Sequence, residues 1–197
     1  DCGLPMAAVA PNYFVAAASV SYIALSGVSG DGTIGMIVGI KGRDHVFNDK
    51  AIKGEVDDLV SAVLAVKPQM LEDQSEEAHA HWHKPGALYI DPNSVVRIVD
   101  DGCSRVNVYF DHAGRLDVRT VNEPRVRIKF AADLAAAHGW LIHIPSPDAA
   151  VHIHAGEIGK VESYSESVQS VHILNIWPQK GTSQDIVRVC LPPHADF

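Results

Sequence analysis

Residues 87–121 read ALYIDPNSVVRIVDDGCSRVNVYFDHAGRLDVRTV. Apolar and polar residues alternate there in four short runs, and successive strand side chains point to opposite faces. Turn formers separate the runs: Asp91-Pro92-Asn93, then "DDGCS" at 100–104, then "DHAGR" at 111–115. The pattern predicts strand, short turn, strand, turn, strand, turn, strand.

The same order of signals lies upstream. Ser19-Val20-Ser21-Tyr22-Ile23 aligns with Ser94-Val95-Val96-Arg97-Ile98 at an offset of 75, as does Asp58-Leu59 with Asp133-Leu134. Gly42-Arg43 matches Gly114-Arg115 at an offset of 72, so one turn differs by three residues. The segment "NYFVAAASVSYIALSG" predicts two extended pieces, followed by the turn-rich "VSGDGTIG" and the strand "MIVGI". Farther on, Val56, Leu59, Val60, Val63 and Leu64 form a helical stripe that Pro68 stops. "RVRIKFAADLAAAHG" reads as strand then helix, with Gly139 as the stop. A fainter third copy sets "VHIHAGEIGKVESY" over "LYIDPNSVVRIVDD", with Ile153 over Ile90, Ile158 over Val95 and Val161 over Ile98.

A repeat of this length is too long for a solenoid turn and suits a module of four strands plus a helix. One such unit is short of core, so copies should pack together. The expected fold is therefore α+β and β-dominated, made of tandem copies of this module. Its expected divisions are a first module at 12–68, a polar histidine-rich linker at 69–86, a second module at 87–140 and a divergent third at 141–197.

The fragment "YIDPNSVVRI…SRVNVYFDHAGRLDV" resembles strand–turn–strand units of LytTR-type DNA-binding domains. "YFDHAGRLDVRTV" resembles a single YD-repeat unit of Rhs proteins. Hairpin chemistry alone generates both. The formal net charge of −8 opposes the nucleic-acid binding that the first resemblance implies. The serial units that the second implies are missing. In the most basic region Arg97, Arg105, Arg115, Arg119, Arg125, Arg127 and Lys129 interleave with Asp100, Asp101, Asp111, Asp117 and Glu123, which reads as solvated strand faces.

The longest uncharged apolar run, 13–28, is too short and too serine-rich to span a membrane. No basic stretch precedes it, so it does not read as a signal peptide, and the compartment stays open. Cys2, Cys103 and Cys190 are odd in number and far apart, which predicts reduced thiols rather than a disulfide or zinc framework.

Histidines supply the competing reading. His79, His81 and His83 alternate in "HAHWHKP", and His152 and His154 repeat the spacing in "VHIHAGE". Alternate residues of an extended chain share a face, where imidazoles can converge on a transition metal such as zinc. His143 and His172 are also strand-borne, and Glu157 or Glu162 could serve as carboxylate ligand or base. The metallo-β-lactamase pattern fails at its aspartate, where Trp82 or His83 stands, and the cupin pattern fails at Ala87. The glycine-rich "SGDGTIG" lacks the lysine of a phosphate loop and predicts a hairpin turn with Asp31-Gly32 at its tip.

The expected function is a non-enzymatic structural or interaction protein, acting through a protein partner or self-association. No nucleic acid, membrane or cofactor is expected. Strand edges and the surroundings of Trp82, Trp140 and Trp177 are the expected contact surfaces. The alternative is a metal-dependent hydrolase or oxygenase using His79, His81, His83, His152 and His154.

Overall fold

Ser19 and Ser94, which open the two aligned segments, each end a one-turn 3₁₀ helix, Ala17–Ser19 and Pro92–Ser94. Each turn feeds the first strand of a three-stranded antiparallel meander, and a third turn, Ala155–Glu157, feeds a third meander. The computed structural model describes residues 4–73, 87–100, 106–112, 115–121, 141–145, 150–166, 171–179 and 186–191.

The chain begins with the hairpin β1 (Met6–Ala10) and β2 (Tyr13–Ala16). The first meander is β3 (Val20–Leu25), β4 (Thr33–Ile40) and β5 (Val46–Ile52), followed by helix α1 (Lys53–Val66). Strands β6 (Leu71–Asp73) and β7 (Ala87–Ile90) precede the second meander, β8 (Val95–Asp100), β9 (Val106–His112) and β10 (Arg115–Val121). Strands β11 (Leu141–Pro145) and β12 (Ala150–His154) precede the third, β13 (Ile158–Glu166), β14 (Val171–Pro178) and β15 (Val187–Leu191). The fold is β-dominated, and α1 is the one α-helix among the described residues.

Sheet order shows how the meanders join. Strand β7 adds to the free side of β3, giving the five-stranded order β5-β4-β3-β7-β6. Strand β12 adds to β8 in the same way, giving β10-β9-β8-β12-β11. The registers correspond: Ile90 lies opposite Tyr22 and Ile153 opposite Arg97. All three meanders also carry a bulge at one place, where Ser21, Val96 or Gly159 of the first strand is passed over by its partner. An inserted residue there increases local twist and turns the strand end toward its 3₁₀ turn.

Packing follows the strand period. Val15, Val20, Ile23, Met36 and Val38 form one core with Val56, Leu59 and Val63 of α1. Tyr22, Ala24, Leu88 and Ile90, from the opposite face of the first sheet, pack with Val95, Ile98, Val108 and Phe110 of the second meander. Ile153, Ile176 and Val187 form a smaller third core. Helix α1 starts where the Ile52 amide donates to the Glu55 carboxylate at 3.1 Å, and Pro68, which lacks an amide hydrogen, follows its end. Between β3 and β4 the tip is Asp31-Gly32, as expected: Gly32 has φ of 82°, and the Asp31 carboxylate accepts from the Thr33 amide and hydroxyl.

Three elements depart from the sequence reading. Strand β1 is alanine-rich and β5 is an edge strand with Phe47, Lys50 and Ile52 exposed, so neither shows a clean apolar alternation. The start of the expected linker forms β6, with Met70 buried and Leu71 packed against the second core. Arg97 is buried and Asp117 and Arg119 are half-buried, so this part of the charged region is not a solvated face.

Candidate functional site

The third residue after each 3₁₀ turn is Tyr22, Arg97 and Lys160 in the three meanders. Their partners on the second strand are Gly39, Tyr109 and Trp177. Arg97 and Lys160 lie over the rings opposite them, at 5.2 and 5.6 Å from the ring centroids. In the first meander the aromatic and its neighbour exchange strands: the Tyr22 ring lies across Gly39, where an added Cβ would stand 2.2 Å from the ring.

From that perch Tyr22 reaches the second meander. Its ring packs on Phe110 at 4.9 Å and stacks on His112 at 5.7 Å. Its hydroxyl donates to Asp117 Oδ2 and accepts from Arg119 Nη2, each at 2.5 Å. His112 Nδ1 stands 3.3 Å and His45 Nδ1 3.5 Å from the same carboxylate. His112 Nε2 is buried without a hydrogen-bond partner among the described residues. Burial pushes the Asp117 carboxyl up, but the His112 imidazole, the Arg119 charge and the Tyr22 hydroxyl outweigh it and hold the group at about 2. Burial, aided by the Asp117 charge, drives the Tyr22 phenol far above its ordinary range against the opposing pull of Arg119. A phenol that stays protonated and a carboxylate that stays ionised form a fixed hydrogen-bonded lock, and neither is poised to exchange protons near neutral pH.

A second lock lies beside it. Lys67, after α1, donates to the Asp91 carboxylate at 2.6 Å and to the Val20 carbonyl at 2.7 Å. Asp91 also accepts from the Ser94 hydroxyl and the Asn93 amide, capping the second 3₁₀ turn. A cavity of ≈ 300 Å³ opens near this joint, lined by Lys41, Asn93, Ser94, Asp111 and Glu157 among others.

The third meander contrasts with this. Among the described residues β13 pairs with β14 alone, and β2 pairs with β1 alone. Large apolar side chains are exposed at both places: Tyr13 and Phe14 on β2, Val161 and Tyr164 on β13. Lys160 hydrogen-bonds Glu162, Trp177 Nε1 donates to Glu162 at 3.1 Å, and these contacts, Lys160 first, lower the Glu162 carboxyl. Arg188 lies over the Tyr164 ring.

Of the expected metal ligands, His79, His81 and His83 lie outside the described residues, as do Trp82, Trp140, Cys2 and Cys103. His152 and His154 lie on β12, where His152 is opposite both His143 of β11 and Ile98 of β8, and His154 is opposite Leu141. His172 is opposite Leu191. Among the described residues no cluster of three or more metal-ligating side chains occurs, and no helix is long and apolar enough to cross a membrane. Sequence reasoning missed the lock of Tyr22, His112, Asp117 and Arg119. Its one signal was the Asp117-x-Arg119 pair, whose charges share a strand face.

Comparison of the chain with models of known protein families, with curated proteins and with solved structures gives no match in any of the three.

Proposed function

We propose that the chain is a non-enzymatic assembly protein, written as three copies of one module, which binds protein through the edges of β2 and β13 that are unpaired among the described residues. Each copy is a strand, a 3₁₀ turn and a bulged three-stranded meander: β2 to β5, β7 to β10, and β12 to β15. On this reading the copies fall within the divisions proposed at 12–68, 87–140 and 141–197.

One observation carries the reading. The first strand of the first and second meanders each accepts an added antiparallel strand in equivalent register, whereas β13 accepts none among the described residues. Unpaired edges with apolar side chains are templates for strand addition. The lock between the first two meanders supports a scaffold role, since it joins sheets rather than presenting a reactive group.

The alternative keeps one point of support: β11 and β12 set His143 opposite His152, and its remaining ligands would be His154 with His79, His81 and His83, the last three outside the described residues. A transition metal such as zinc would then be the cofactor. Mass measured by sedimentation over a wide concentration range, with metal analysis of untagged protein, separates the two. The assembly reading expects mass to rise with concentration and no stoichiometric metal. Strict monomers carrying one metal that is lost on His81→Ala would replace it with the enzyme.

A further inference from the structure

We infer that the occupant of the β13 edge is strand β2 of a second copy of this chain, paired antiparallel with Val15 opposite Lys160, Phe14 opposite Val161 and Tyr13 opposite Glu162. The inference rests on the assembly reading and supplies its partner and register.

The register is read from the two joints inside the chain. In the first, Ile90, Tyr89 and Leu88 of β7 lie opposite Tyr22, Ile23 and Ala24 of β3. In the second, Ile153, His152 and Val151 of β12 lie opposite Arg97, Ile98 and Val99 of β8. Counting back from the 3₁₀ turn that follows each added strand, Ile90 and Ile153 correspond to Val15. Counting forward from the turn before each meander, Tyr22 and Arg97 correspond to Lys160.

Burial supports the match at two of the three positions; at the third, Tyr13 is 41% exposed where its counterpart Leu88 is buried. Val15 is buried in the first core, as Ile90 is in the second and Ile153 in the third. Tyr89, one residue earlier, packs against the core of the meander that accepts its strand. Its counterpart Phe14 is 60% exposed, and Val161, which would face it, is 53% exposed. Two large apolar side chains left in water thus become a cross-strand pair. Strand β2 also arrives in a ready hairpin with β1, as β7 does with β6 and β12 with β11. Lys160 and Glu162 keep charge on the open edge, which discourages indiscriminate pairing.

The donor and acceptor are different surfaces, so the contact is heterologous and yields a closed ring or an open filament. Phe14→Asp blocks the donor and Val161→Asp the acceptor. Both side chains are exposed, so the monomer should stay folded, and denaturant unfolding checks this. Each variant alone should raise the concentration at half-assembly about tenfold or more. Mixing the two should restore association but stop it at two copies, because one retains an intact β13 and the other an intact β2. Phe14→Cys mixed with Val161→Cys should cross-link only in the mixture, above the background of the native thiols. Assembly that is unchanged in both variants, or not restored on mixing, overturns the strand exchange and leaves the assembly reading standing. A wild-type chain that stays monomeric overturns both.

Discussion

The joint between the first two meanders and the edge of the third both begin with a 3₁₀ turn and a bulged strand, and they end differently. At the joint, the Tyr22 ring lies across Gly39 and is held by Asp117, Arg119 and His112, while Lys67 and Asp91 pin the following turn. At β13 the corresponding Lys160 stays at the surface, folded onto Trp177 and Glu162. Buried polar groups must be matched or they destabilise, so the joint is held to one geometry. Among the described residues the β13 edge carries no such buried network, and under the proposal it accepts a strand.

The sharpest way to break the comparison is Lys67→Ala. It leaves the Asp91 carboxylate buried without its cation and should cost about 3–5 kcal/mol in denaturant unfolding. Lys160→Ala, at the open edge, should be nearly silent. Equal costs would erase the distinction between the two regions. Gly39→Ala comes next, because its Cβ collides with the Tyr22 ring, and overpacking of this kind costs up to about 3 kcal/mol. In a Tyr22→Ala background the same glycine change should cost far less, a coupling that a double-mutant cycle reads directly.

The pH dependence sharpens the same contrast at a smaller scale. Asp117 is held at about 2 in the folded chain against an ordinary 3.8, so the unfolded chain binds more protons between those values. The Asp117 contribution, about 2 kcal/mol, is therefore complete above about pH 4 and lost as the pH falls toward 2. Unfolding free energies measured across that interval should fall less steeply in Asp117→Asn than in wild type. The smallest expected effect is on Val161→Thr, within about 0.5 kcal/mol for the monomer because the side chain is already in water.

The strands that alternate cleanly were legible from their residues. Val106–His112 buries every second side chain, and its alternation of valine and phenylalanine with polar residues announces it. Ser19–Ile23 and Ser94–Ile98 each start at the end of a 3₁₀ turn and run into a strand. Strand β5 was missed because an edge strand needs little apolar surface. The lock was missed for a different reason: Tyr22 lies 95 residues from Asp117, and no local pattern records a contact made by stacking one sheet on another. The β13 edge had no residue signature either, since it is defined by a second partner that β13 lacks among the described residues.

Amide hydrogen exchange, resolved by strand and repeated at several protein concentrations, tests most directly whether β13 is the vacant counterpart of β3 and β8. Amides of β3 and β8 should be protected at every concentration, while outward amides of β13 exchange freely in dilute protein and gain protection as the chains associate. Protection of β13 equal to that of β8 in dilute monomers, or exchange there that ignores concentration while the mass rises, would contradict the account.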